Sequence, residues 1–96
     1  MSAYCVVDIL EILDPAKMDA YRQQVAATVE RHGGRYIVRG GPFEVKEGDW
    51  RPVFPVILEF PNLEQLRRWY DSAEYAPLLA LRLAAARCDL VFIEGR

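Results

Sequence analysis

Residues 4–13 read Tyr-Cys-Val-Val-Asp-Ile-Leu-Glu-Ile-Leu, apolar at both alternating positions of a strand and interrupted only by Asp8 and Glu11. Such a strand must be covered on both faces. That condition falls on a chain of only 96 residues, which is one domain, residues 1–96, with few elements available to do the covering.

The elements that follow are well punctuated. Asp14-Pro15 supplies an N-cap and a first-turn proline. A helix runs from there to about Arg31, with Met18, Tyr21, Val25, Val29 and His32 recurring every three or four residues on one face. Gly33-Gly34 stops it, with Gly33 expected in the left-handed position after the cap. Arg35 to Arg39 alternates as a second strand, bounded by Gly40-Gly41-Pro42. Phe43 to Val45 either continues that strand past a bulge or forms a short flap. Glu47-Gly48-Asp49-Trp50 reads as a turn. A third strand is expected from about Arg51 to Phe60, with Phe54, Val56, Leu58 and Phe60 on one face, and Pro52 and Pro55 put its first half at an edge or bulge.

Asn62 with Gln65 makes a capping box for a short helix carrying Leu63, Leu66, Trp69 and Tyr70. Pro77 would clash with the carbonyl of Ala73 in a continuous helix, so a break is expected at Asp71-Ser72-Ala73. A third helical segment carries Tyr75, Leu78, Leu79, Arg82, Leu83 and Ala86, and Asp89 to Glu94 closes the chain as a strand. The predicted fold class is α+β: a ferredoxin-like β-α-β-β-α-β order with an antiparallel four-stranded sheet and a broken second helix. The helices of such a chain can cover only one face of that sheet. A homodimer packed sheet against sheet is the simplest way to cover the other.

Composition narrows the function classes. The chain is 52% apolar without a run near the roughly 18 residues of a membrane span, so no membrane partner is expected. Its opening residues have neither the basic flank nor the apolar core of an export signal. Cys5 and Cys88 start strands at opposite ends of an antiparallel pair, too far apart to bridge, and reduced thiols suit the cytoplasm. A net charge of −2 argues against nucleic acid. The cluster Arg31, Arg35, Arg39 can hold one carboxylate or phosphate but not a duplex. One histidine and two separated cysteines leave no multidentate metal site, and no cofactor is expected.

The residues also resemble a known family. The segments His32-Gly33-Gly34-Arg35-Tyr36 with Arg39-Gly40-Gly41, Glu47-Gly48-Asp49-Trp50, Ile57-Leu58-Glu59-Phe60-Pro61, Trp69-Tyr70-Asp71-Ser72-Ala73-Glu74-Tyr75, Leu81-Arg82 and Asp89 to Gly95 are similar to the dimeric α/β-barrel superfamily. Within it they resemble the domain-of-unknown-function family 1330. The match spans nearly the whole chain in order, departing at Ala73, where proline is commoner. It implies a ferredoxin-like protomer dimerised through its sheet and brings no established catalytic residues. The wider superfamily includes cofactor-independent monooxygenases, lactone isomerases, polyketide cyclases and haem enzymes, and fold alone does not choose among them.

Candidate chemistry centres on three residues. His32 is of the residue type best suited to general acid or base proton transfer. As the last-turn residue of a helix it equally suits capping the loose carbonyls, and it is also the sole histidine available to a haem. Arg35 and Arg39, two residues apart on a strand, are expected on one face, where their forks could steady an oxyanion or simply pair with Asp8 and Glu59. Arg82 lies in an apolar helical stripe, so it either snorkels to water or pairs with a buried carboxylate. Tyr36, Trp50, Trp69, Tyr70 and Tyr75, with Tyr21, are candidates to line a pocket for a flat or apolar molecule, and Arg82 is grouped with them as substrate-binding. Trp50, on a turn, reads as a lid or a dimer contact. Ser72 lacks a base and reads as a cap.

Two function hypotheses follow. One is a cofactor-independent enzyme acting on an apolar or enolisable acid by proton transfer, isomerisation or oxygenation. The other is a non-catalytic dimer that binds a small ligand or serves as an accessory module.

Overall fold

A computed structural model describes all of residues 1–96. The order is β1 (Ala3–Ile12), α1 (Pro15–Arg31), β2 (Arg35–Arg39), β3 (Pro55–Phe60), α2 (Leu63–Tyr70), α3 (Ala76–Ala85) and β4 (Ala86–Glu94). The strands form one antiparallel sheet in the order β2-β3-β1-β4. This is the ferredoxin-like arrangement expected, with β1, the strand apolar on both faces, at its centre.

Local chemistry explains the element ends. The Asp14 carboxylate accepts from the Lys17 N–H at 3.1 Å and starts α1. At the other end Gly33, at φ +81°, donates to Glu30 O, and Gly34 donates to Val29 O. These two bonds make a Schellman ending, which needs a left-handed residue after the cap. Asn62 accepts from the Gln65 N–H at 2.8 Å. The reciprocal arm of the expected capping box is absent: the Gln65 amide oxygen accepts from Arg68 while its NH₂ donates to His32 O. Ser72 donates to Trp69 O and accepts from the Tyr75 N–H, bridging the break between α2 and α3.

Three boundaries differ from the expectations. Phe43 to Val45 forms no strand, and β3 starts at Pro55, not near Arg51. The reason is Asp8: its carboxylate accepts from the backbone N–H groups of Val53 and Phe54 at 2.8–3.2 Å, so those donors leave the ladder. A strand acid thus serves as a loop anchor, where the sequence suggested a partner for arginine. β4 begins three residues early at Ala86, directly from the end of α3. Cys5 and Cys88 are both free, Cys5 facing Phe92 and Cys88 facing Ile9 across the β1–β4 ladder.

One face of the sheet is covered by α1, α2 and α3. Ala3, Cys5, Val7 and Ile9 of β1 and Leu58 and Phe60 of β3 meet Met18, Tyr21, Val25, Val29, Leu66, Trp69 and Leu78 in the core. The opposite face carries the alternate residues. Val91 and Ile93 of β4 are each about half exposed there. The molecule is only 17 Å thick against 38 and 37 Å in the other directions, as one sheet with one helical layer must be. No helix is long and apolar enough to cross a membrane.

Candidate functional site

Between α1 and the covered face of the sheet lies a cavity of about 230 Å³. Its buried end is lined by Cys5, Leu58, Trp69, Tyr75, Arg82 and Met18, and its outer end by Arg22, Arg39 and Phe54. The site is apolar except for phenols, one thiol and three arginines. It has no carboxylate in its lining.

Arg82 is the unusual member. It is 5% exposed, yet no acid lies within ion-pair distance of it. Its Nε donates to the Tyr75 hydroxyl at 3.4 Å, and that hydroxyl is 2.8 Å from the Tyr21 hydroxyl. Burial works against the guanidinium charge, while the Tyr75 hydroxyl, with Tyr21 and Cys88, works for it, and the net shift is upward. A buried cation without a counter-ion is costly. Helical periodicity alone put Arg82 on an apolar stripe, and the two expected outcomes, snorkelling or a buried carboxylate partner, are both absent.

The surrounding protic groups are held neutral. Burial pushes the Cys5 thiol up to about 12, with Arg82 pulling weakly the other way. Burial likewise raises Tyr36 to about 12 despite the Arg39 charge, and raises Tyr21 and Tyr75 as well. Near neutral pH these groups donate hydrogen bonds and do not take protons. Trp69 forms the floor. Its ring lies 4.3 Å from that of Tyr75 and 5.5 Å from that of Phe60, and its Nε1 donates to Thr28 Oγ1 at 3.0 Å.

The second strand holds the main correction. Arg35 and Arg39 do not share a face. Tyr36 lies opposite Leu58 but Val38 opposite Ile57, so Ile37 is an extra residue and the strand bulges there. The bulge puts Arg39 opposite Val56 on the cavity side and leaves Arg35 opposite Glu59 on the other face. Arg35 Nε and Nη2 bond Glu59 at 2.9 and 2.7 Å, and this holds the Glu59 carboxyl below its usual range. Arg39 instead lies over the Tyr36 ring at 4.0 Å, a cation–π contact at the cavity mouth. Just beyond it Gly40, at φ +62°, lets the Phe54 ring lie where a side chain would be, only 2.3 Å from the place of a Cβ.

His32 lines no part of the cavity: its Nδ1 is 2.8 Å from Thr28 O, four residues back, and 4.0 Å from a Glu74 carboxylate that Arg31 also binds. That is the geometry of a helix cap. Its place on the apolar stripe fails because α1 ends at Arg31. Tyr36, Trp69, Tyr75 and Arg82 line the cavity together with Arg39. Tyr70 packs outside it, edge-on to Phe92 at 5.4 Å. Trp50 is 65% exposed on the loop before Arg51. Arg22 and Phe54 were not singled out by sequence reading as site residues, although the place of Arg22 beside Tyr21 on α1 was a usable signal. No three His, Cys, Asp or Glu side chains cluster as metal ligands.

Solved structures share this fold. A protein of unknown function from Rhodopseudomonas palustris superposes with a TM-score of 0.74 at 16% identity, over 99% of this chain and 82% of that one. SnoaB, a cofactor-independent oxygenase from Streptomyces nogalater, superposes with a TM-score of 0.71 at 16% identity, over 99% and 93% of the two chains. A dimeric protein of unknown function with a ferredoxin-like fold from Bacteroides fragilis gives 0.55 at 11% identity, over 98% and 96%. At these identities the likeness is one of fold. No curated protein matches the sequence. The residues that carried the resemblance, from the glycine pair after α1 to the last strand, lie within the segment 2–96 that matches the model of the domain of unknown function DUF1330, and the chain belongs to that family.

Proposed function

We propose that this protein binds a small, largely apolar organic acid in the cavity beneath α1 and acts on it without an organic cofactor, by stabilising its enolate or phenolate. The observation that carries this reading is Arg82, a buried guanidinium with no acid partner that lines an otherwise apolar cavity. A ligand oxyanion would supply the missing counter-charge. The Tyr21–Tyr75 hydroxyl pair, with one of its two hydrogens engaged between the rings, would add one neutral donor, and the Trp69 face a surface for a flat ring. A volume of about 230 Å³ lies below the usual range for drug-sized ligands and fits a compact one.

In this reading Arg82 alone takes the oxyanion role that the sequence assigned to Arg35 and Arg39, and Arg39 stands apart from it at the exposed mouth. His32 is left as a cap. Because the thiol and phenols in the cavity are held protonated, the chain lowers the cost of ionising the substrate and leaves the proton to solvent. SnoaB, described as a cofactor-independent oxygenase, has the same fold and supports chemistry on an activated substrate. The test is proton exchange at C3 of phenylpyruvate in D₂O, followed by NMR. The protein is expected to accelerate exchange above the buffer rate, and Arg82→Met to abolish the acceleration. Binding without acceleration would select the second reading, a non-catalytic ligand-binding or accessory module, which the absence of a near-neutral base in the cavity favours.

The same reading includes a homodimer built through the uncovered sheet face, in a reducing compartment where both thiols stay free. Exposed Val91 and Ile93 beside half-buried Tyr4, Val6 and Ile57 give that face its apolar centre. Ile93→Glu is expected to convert a dimer to a monomer in sedimentation at micromolar concentration without loss of secondary structure. A wild-type monomer would refute the assembly.

A further inference from the structure

Every arginine of this cavity lacks an acid partner. Outside it, Arg31, Arg35, Arg68 and Arg87 pair with glutamates while Arg51, Arg67 and Arg96 do not, so what sets Arg22, Arg39 and Arg82 apart is that all three line one apolar space. Arg82 is at the buried end, whereas Arg22 and Arg39 are exposed at the other. The bulge at Ile37 is what turns Arg39 to this side, and its stacking on Tyr36 at 4.0 Å fixes its direction. Arg22 lies 6.0 Å from the Phe54 ring across the same mouth. Apolar side chains such as Val56, Leu58 and Val25 line the space between the two ends.

We infer that the ligand carries two acidic groups at opposite ends of an apolar body, one neutralised by Arg82 inside and the other met by Arg39 at the mouth. This deepens the reading of the cavity as an acid-binding site and rests on it. The two ends differ in strength. The inner contact is shielded from water and resists salt. The outer one is exposed, so it is screened and sets preference more than affinity. Arg39 is on this account a specificity residue, placed by a backbone irregularity and not by strand periodicity.

Calorimetric titration with 2-naphthoate and naphthalene-2,6-dicarboxylate tests this. The wild-type protein is expected to bind the dicarboxylate more tightly, by a factor of about 1.5 to 5, the range for one exposed charge pair. The preference should shrink at high salt while naphthoate binding changes little. Arg39→Gln is expected to erase the preference and leave naphthoate affinity intact, and Arg39→Lys to keep part of it. Equal binding of both acids, or a preference that survives Arg39→Gln, overturns the two-ended ligand and leaves the acid site standing. Binding of neither acid overturns the acid site itself.

Discussion

Arg82→Met is expected to abolish most acid binding while leaving the fold as stable as before or more so. A charged hydrogen-bonded contact is worth about 1.5–3 kcal/mol, so affinity for 2-naphthoate should fall about 10- to 100-fold. Stability should move the other way. The guanidinium is buried without a counter-ion, and a flexible apolar side chain of similar length fills the space without that desolvation cost, a gain of about 1 kcal/mol or more. Tyr75 keeps its bond to Tyr21. Paired urea melts and calorimetric titrations read both effects on the same samples. A variant that loses stability along with binding would mean that Arg82 holds the core together, and the case for a ligand at that cation would fail. A substitution that stabilises a protein while disabling it is the mark of a residue kept for function.

Trp69→Ala is expected to bring the domain close to unfolding. Trp69 is 1% exposed, stacks on both Tyr75 and Phe60, and donates to Thr28. Removing a buried tryptophan typically costs about 3–5 kcal/mol, much of the total stability of a domain this small. Trp69→Phe keeps part of the ring contact and loses the donor, while Thr28 keeps its own bond to Val25 O, so it should cost only about 1–2 kcal/mol, one hydrogen bond with some lost packing. Chemical denaturation followed by circular dichroism separates the two. Equal losses for both variants would place the energy in the hydrogen bond and not in the ring.

These results bear on what sequence can show. The fold was legible because its punctuation is local: Asp14-Pro15, Gly33-Gly34, Asn62 and Pro77 act within a turn of themselves, and both faces of β1 are written in one run of residues. The start of β3 was not, because Asp8 takes the Val53 and Phe54 N–H groups from 45 and 46 residues away. The face of Arg39 was not legible either. Period-two reasoning puts Arg35 and Arg39 together, and a single extra residue at Ile37 separates them without leaving a mark such as glycine at that position. His32 failed for a simpler reason, since it stands one residue past the last regular turn.

Arg82 was half legible. An arginine within an apolar helical stripe is visible in the sequence, and so is the need to explain it. What the sequence does not carry is the identity of its neighbours: every acid of the chain lies elsewhere, and tyrosines from α1 and the start of α3 meet it instead. The exposed loop bearing Trp50 has no such internal account, and its tryptophan stays outside the cavity that Tyr36, Trp69 and Tyr75 line.

The central claim is that the cavity is built around an acid held by Arg82, and a crystal structure of the wild-type protein with 2-naphthoate tests it most directly. The account predicts the ring against Trp69 and the carboxylate within hydrogen-bond distance of the Arg82 guanidinium. A carboxylate pointing to the mouth with the ring toward Arg82, or a ligand bound elsewhere with the cavity passed over, would contradict it.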